Sequence, residues 1–140
     1  MSDGVILVVD DDPLSLKLTS FVLRSSGQRV RTATDGAEAL QEVGRGDVSL
    51  VLLDIQMPGP SGFDVLDALR AARHSRAIPV VALTALAMVT DAPRILAAGF
   101  DGYLSKPISL AELRRLADRF VPAHATEAPK RLAHDARAAL

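Results

Sequence analysis

Two stretches of the chain are apolar at every position. Val5-Ile6-Leu7-Val8-Val9 and Leu50-Val51-Leu52-Leu53 lack the alternation of a half-exposed strand, so both predict strands covered on both faces of a parallel sheet. Val80 to Leu83 is a third, introduced by Pro79 and ended by Thr84. Arg29 to Ala33 is weaker and predicts an edge strand. Gly102 to Ser105 predicts a short strand that runs into Lys106-Pro107.

Between these runs the period changes to that of a helix. Asp12-Pro13 is an N-cap with proline at the first helical position. Leu14, Leu18, Phe21 and Val22 then form a helical stripe that Gly27 ends. Asp35-Gly36-Ala37-Glu38 has capping-box chemistry and opens a short helix closed by Gly44 and Gly46. After the loop Met57-Pro58-Gly59-Pro60-Ser61-Gly62 comes a helix carrying Phe63, Leu66 and Leu69, and a fourth helix finishes at Gly99. Ser109-Leu110-Ala111-Glu112 is another capping box, with Leu113, Leu116, Ala117 and Phe120 on one face of the last helix.

Five strands alternating with five helices predict an α/β fold, a doubly wound five-stranded parallel sheet with five helices. Right-handed crossovers place helices on both faces of it. One domain is expected over residues 1–121. Residues 122–140 are expected to be a C-terminal tail, flexible or partly helical, since Leu132, Ala136 and Leu140 share only a narrow face.

Composition narrows the function. With 140 residues, 49% hydrophobic and 4% aromatic, the chain is one ordinary domain around an aliphatic core. No aromatic platform for stacking bases is present. Sixteen Lys and Arg against seventeen Asp and Glu leave a charge of −1, which argues against direct nucleic-acid binding. There is no cysteine, so thiolate metal sites and disulfides are excluded. Met1-Ser2-Asp3-Gly4 does not start a secretory signal, and the apolar stretch Pro79 to Val89 is too short to span a bilayer. A cytoplasmic protein without a membrane role is expected.

The candidate chemistry lies at the strand ends. Asp10 and Asp11 follow the first strand, Asp54 ends the third, Thr84 the fourth, and Lys106 follows the fifth. In a parallel sheet these ends share one edge, the edge where open α/β folds bind ligands. Three carboxylates in one site disfavour each other's ionisation, and a divalent cation removes that conflict. Oxygen-only ligands favour a hard ion such as Mg²⁺. Lys106 adds a positive charge and Thr84 a hydroxyl, so the set suits a phosphoryl clamp around a carboxylate nucleophile.

Plainer readings compete. Asp12 is explained by N-capping before Pro13. Asp10 and Asp11 could be ordinary helix-start acids, Lys106 a solvated lysine, Thr84 a β-former and Tyr103 an edge-packing aromatic. His74, His124 and His134 sit among charged or alanine-rich neighbours and are expected at the surface. Leu86, Ala87 and Met88 suit either helix core or a partner surface.

Taken in order, Asp10-Asp11, Asp54-x-x-Met57-Pro58-x-x-x-Gly62, Thr84-Ala85 and Lys106-Pro107 resemble the response-regulator receiver family, from about Val5 to about Phe120. The segments Leu53 to Pro58 and Tyr103 to Ser109 are similar to stand-alone cell-cycle receivers of the DivK type and to receivers attached to hybrid kinases. The resemblance implies a flavodoxin-like strand order 2-1-3-4-5 and a stand-alone phosphorelay switch that signals by phosphorylation-dependent partner binding. It implies Asp54 as phosphoacceptor, with Mg²⁺ held by Asp10, Asp11, Asp54 and the backbone carbonyl of Gln56. Lys106 would contact the phosphoryl group, Thr84 would swing toward it, and the Tyr103 rotamer would follow. Pro107 would carry a cis bond. The Gln56 and Leu86 side chains would overhang the phosphoryl group, Leu86 obstructing the hydrolytic water and Gln56 either orienting it or shielding the phosphoryl oxygens.

The implied partners are a sensor histidine kinase or histidine phosphotransfer protein and a downstream protein target. The implied oligomeric state is a monomer or weak phosphorylation-dependent dimer. No enzymatic activity is expected beyond the chain's own phosphorylation and dephosphorylation. A haloacid-dehalogenase-like phosphatase would use the D-x-D in Asp10-Asp11-Asp12, but it leaves Asp54 and Met57-Pro58 unexplained. A flavodoxin-like FMN carrier would place its phosphate against acids. A degenerate receiver would lack the complete acid, threonine and lysine set.

Overall fold

The computed structural model describes residues 4–85, 92–106 and 108–120, and for Ala117 only the backbone. The expectations for Leu86, Ala87, Met88, Pro107, His124, His134 and the tail fall outside the described residues.

Five parallel strands form one sheet: β1 (Val5–Val9), β2 (Arg29–Ala33), β3 (Val48–Asp54), β4 (Val80–Thr84) and β5 (Gly102–Ser105). Their order is β2-β1-β3-β4-β5. The weak strand β2 lies at one edge, as its pattern predicted, and the short strand β5 lies at the other. The helices α1 (Pro13–Ser25), α2 (Gly36–Val43), α3 (Gly62–Ala71), α4 (Ala92–Ala97) and α5 (Leu110–Phe120) alternate with the strands. None among the described residues is long and apolar enough to cross a membrane.

The unbroken apolar runs of β1 and of Leu50 to Leu53 in β3 are needed because both sheet faces are covered. One face joins Leu7, Val9, Val51, Leu53 and Ala82 to Ala39 and Val43 of α2, Leu66 and Leu69 of α3, and Ile95 of α4. The other joins Ile6, Val8, Leu50, Leu52 and Leu83 to Leu23 of α1 and Leu113 of α5. Successive strand residues therefore serve opposite cores, each a mostly aliphatic layer.

The helix starts follow the caps. Asp12 Oδ2 accepts from Ser15 N at 3.1 Å with Pro13 at the first position of α1, and Asp35 Oδ1 accepts from Glu38 N at 2.8 Å. The second half of the expected box at α2 is displaced. Glu38 Oε1 reaches Thr34 N at 2.7 Å and its hydroxyl at 3.0 Å. At α5, Ser109 Oγ accepts from Glu112 N at 3.3 Å.

Of the stripe read on α1, Val22 packs against the core and the other three residues do not. Leu14, Leu18 and Phe21 are 64%, 56% and 67% exposed. Thr19, Ser20 and Leu23 are buried in their place, with Leu16 and Val22 packed beside them. Helical periodicity identifies a face but not which face turns inward. Here the buried side includes the small hydroxyl residues Thr19 and Ser20.

Candidate functional site

Because β2 and β3 flank β1 on opposite sides, the connections after β1 and β3 diverge and leave a crevice at the carboxyl ends of the strands. Asp10 follows β1, Asp54 is the last residue of β3, Thr84 the last of β4, and Lys106 follows β5. All five expected residues are brought to this edge. Asp10, Asp54 and Thr84 are buried there, and Asp11 is exposed at the mouth.

Carboxylate oxygens of Asp10, Asp11 and Asp54 lie within 4.8 Å of one another. Lys106 Nζ donates to Asp10 Oδ2 at 2.9 Å and to Asp54 Oδ2 at 3.2 Å. Its backbone N–H donates to Thr84 O at 2.8 Å, extending the β4–β5 ladder by one rung and anchoring the lysine. The remaining oxygens are held by the chain that follows each acid. Asp12 N donates to Asp10 Oδ1 at 3.0 Å, and Gln56 N donates to Asp54 Oδ1 at 2.9 Å.

These contacts pull the two buried acids apart. Burial works to raise the Asp10 carboxyl, but the Asp12 N–H and the Lys106 ammonium outweigh it and hold the group below the ordinary carboxylate value. Burial raises Asp54, and the neighbouring Asp10 adds to that beyond what the Gln56 N–H and Lys106 offset. Lys106 loses from burial but is raised overall by its bond to Asp10 and the charge of Asp54. Of the two buried acids, Asp54 is thus the one pushed toward its neutral form.

The donor set fits a hard divalent cation. Three carboxylates face one ammonium, every available ligand is oxygen, and one acid stands open to solvent at the mouth. Asp12 does not join the cluster, since its carboxylate is occupied as the α1 cap. Tyr103 stands on edge strand β5, half exposed, in register with Ala82.

Two features gave no sign in the residue pattern. Gln56 Oε1 accepts from Ala85 N at 3.1 Å, tying the loop after β3 to the chain after β4. Gly62 lies so close to β3 that a Cβ there would come within 2.5 Å of Ile55 Cα and 2.9 Å of Asp54 O. The glycine of the Met57-Pro58-x-x-x-Gly62 motif is therefore a close approach of α3 to the strand end that carries Asp54.

The chain matches the response regulator receiver domain over residues 6–118. It is 38% identical over 114 residues to the sensor histidine kinase GacS of Pseudomonas protegens, covering 79% of this chain and 12% of that one. It is 40% identical over 108 residues to the probable transcriptional regulatory protein TcrX of Mycobacterium tuberculosis, covering 77% of this chain and 45% of that one. The chain thus spans a minor part of these curated relatives. Among solved structures, the receiver domain of the sensor histidine kinase PA1611 of Pseudomonas aeruginosa, with magnesium in its active-site cleft, superposes with TM-score 0.77 at 34% identity, covering 85% of this chain and 98% of that one. The chemotaxis regulator CheY4 of Vibrio cholerae does so with TM-score 0.79 at 28% identity, covering 86% and 100%. Receiver domains are phosphorylated on an aspartate by histidine kinases and bind Mg²⁺ in an acidic site. With the fold, the strand-end acids and the family match in agreement, this chain belongs to the response regulator receiver domain family of two-component signalling.

Proposed function

We propose that Asp54 is the phosphoacceptor of a single-domain phosphorelay switch whose output is phosphorylation-dependent partner binding. The observation that carries this is the position of Lys106, whose ammonium bonds Asp54 and Asp10 together in the strand-end crevice. In transfer from a phosphohistidine, an Asp54 oxygen forms the new P–O bond as the P–N bond breaks, and the electron pair leaves on the imidazole nitrogen. Asp10, Asp11, Asp54 and the Gln56 carbonyl would hold Mg²⁺, which supplies charge neutralisation for the transferred group. Lys106 binds a phosphoryl oxygen, and Thr84 contributes its hydroxyl. The chain acts as a phosphoacceptor and does not turn over a separate substrate.

A protein donor fits the surroundings of the site. α1 leaves the acids at Asp12 and carries Leu14, Leu18 and Phe21 exposed along its outer face. An apolar face beside a reactive carboxylate suits a helical, histidine-phosphorylated partner. A cytoplasmic location follows from such a donor.

Intact mass after incubation with acetyl phosphate and Mg²⁺ tests the assignment. One phosphoryl adduct is expected on the native chain and none on Asp54→Asn. Undiminished labelling of Asp54→Asn at native pH would overturn it.

A further inference from the structure

The tie between Gln56 and Ala85 marks the point where the β3–β4 ladder comes apart. Ile55 N donates to Leu83 O at 3.1 Å, and the next rung of a parallel ladder would run from Ala85 N to Ile55 O. Instead Ile55 O accepts from Gly62 N at 3.4 Å, and Ala85 N donates to Gln56 Oε1. A backbone donor is thereby left at the mouth of the crevice, next to Thr84. It is covered by an exposed, neutral side chain.

Gln56 meets the reactive acid as well. Its own N–H donates to Asp54 Oδ1 at 2.9 Å, while its carboxamide oxygen caps Ala85. One residue therefore spans from the Asp54 carboxylate to the Ala85 donor. A phosphoryl group built on Asp54 would thus be added beside the residue that caps Ala85 N.

We infer that the Gln56 carboxamide is a place-holder on the Ala85 N–H, occupying in the resting protein a donor that the phosphoryl group takes over. The inference deepens the phosphoacceptor reading of Asp54 and rests on it. The exchange runs toward the phosphoryl group because a hydrogen bond to a charged oxygen is about twice as strong as one to a neutral amide oxygen. Gln56 is exposed, so its released side chain returns to water at little cost. The handover draws the chain at Thr84-Ala85 onto the adduct, and it gives the two states different contacts, as a switch requires. Gln56 is thus a positioning residue that sets how readily the site changes state.

Binding of beryllofluoride, a phosphoryl stand-in, at saturating Mg²⁺ tests this by amide NMR. Gln56→Met keeps the length of the side chain and removes the acceptor. Its resting Ala85 amide resonance should move away from the wild-type position. Its beryllofluoride affinity should rise by about threefold to tenfold, the value of one ordinary hydrogen bond no longer broken on binding. Gln56→Glu keeps an acceptor and charges it, so affinity should fall by a similar factor. A merely structural role for Gln56 would weaken binding in both variants. Unchanged or weaker binding by Gln56→Met, with normal wild-type binding, overturns the place-holder and leaves the receiver reading intact. Failure of the wild-type protein to take up beryllofluoride overturns both.

Discussion

Lys106 Nζ bonds Asp54 Oδ2 at 3.2 Å and, with the same ammonium, Asp10 Oδ2 at 2.9 Å. The charge that would hold a phosphoryl oxygen is, in the resting protein, the charge that keeps two buried carboxylates compatible. Lys106 therefore has a structural role in the resting protein, to which the proposed function adds a role toward the phosphoryl group.

Lys106→Met separates these roles. Without the ammonium, Asp10 and Asp54 face each other buried and uncompensated, so the resting fold should lose roughly 1–3 kcal/mol. Saturating Mg²⁺ should restore much of that loss, because a cation among the acids replaces the missing charge. Urea denaturation with and without Mg²⁺ measures both quantities. A loss that Mg²⁺ leaves untouched would mean that Lys106 acts by packing.

Asp54→Asn is expected to stabilise the Mg²⁺-free protein at neutral pH. The Asp54 carboxyl is raised in the fold by burial and by Asp10, so the folded state binds its proton more tightly than the unfolded chain does. Native stability therefore falls as pH rises from the ordinary carboxylate value of 3.8 through the raised folded-state value. The asparagine variant escapes that fall. Its advantage should be full above this window and fade below it, and added Mg²⁺ should reverse the order. Thermal melts across pH with and without Mg²⁺ check the sign.

Asp11 and Asp12 are adjacent and both exposed, yet they should behave differently. Asp12→Ala removes the cap on Ser15 N and should cost about 1 kcal/mol, with Mg²⁺ affinity nearly unchanged. The Asp12 N–H that holds Asp10 Oδ1 belongs to the backbone and survives the substitution. Asp11→Ala should leave stability almost untouched and weaken Mg²⁺ binding by about tenfold or more through a lost carboxylate ligand. Mg²⁺ titrations of the two variants distinguish them. Equal losses of affinity would make Asp12 a ligand.

The alternation of strands and helices, and the meeting of the candidate residues at one sheet edge, were legible because each rests on a local pattern. Unbroken aliphatic runs marked β1, β3 and β4, and the polar residue ending each run marked the edge where the acids and Thr84 meet. What stayed hidden depends on distances between segments far apart in sequence. Nothing in the letters places the Gln56 side chain on Ala85 N, or shows that Gly62 must lack a Cβ because Ile55 Cα lies in the way. Glu38 reached Thr34 in place of the cap because Thr34 offers both a backbone and a hydroxyl donor. α1 was misleading for another reason. Leu14, Leu18 and Phe21 point outward while Thr19 and Ser20 are buried beside Leu23, the reverse of what hydrophobicity alone predicts for those five positions.

That inversion yields the last prediction. Had Leu14, Leu18 and Phe21 formed the core face of α1, replacing Phe21 by serine would cost about 3–5 kcal/mol. They are exposed, so Leu18→Ser and Phe21→Ser should each change stability by no more than about 0.5 kcal/mol. A core substitution in the same helix, Leu23→Ala, should cost about 2–5 kcal/mol and serves as the contrast. Such an apolar face persists at the surface only at some risk to solubility, and on the proposed function the phosphoryl donor would cover it. Phosphotransfer from a histidine-phosphorylated protein should therefore slow in Leu18→Ser and Phe21→Ser. Labelling by acetyl phosphate, which needs no docking surface, should proceed at the native rate. Equal slowing with both donors would show that the substitutions disturb the site itself, and no slowing with either would place the donor's docking surface elsewhere.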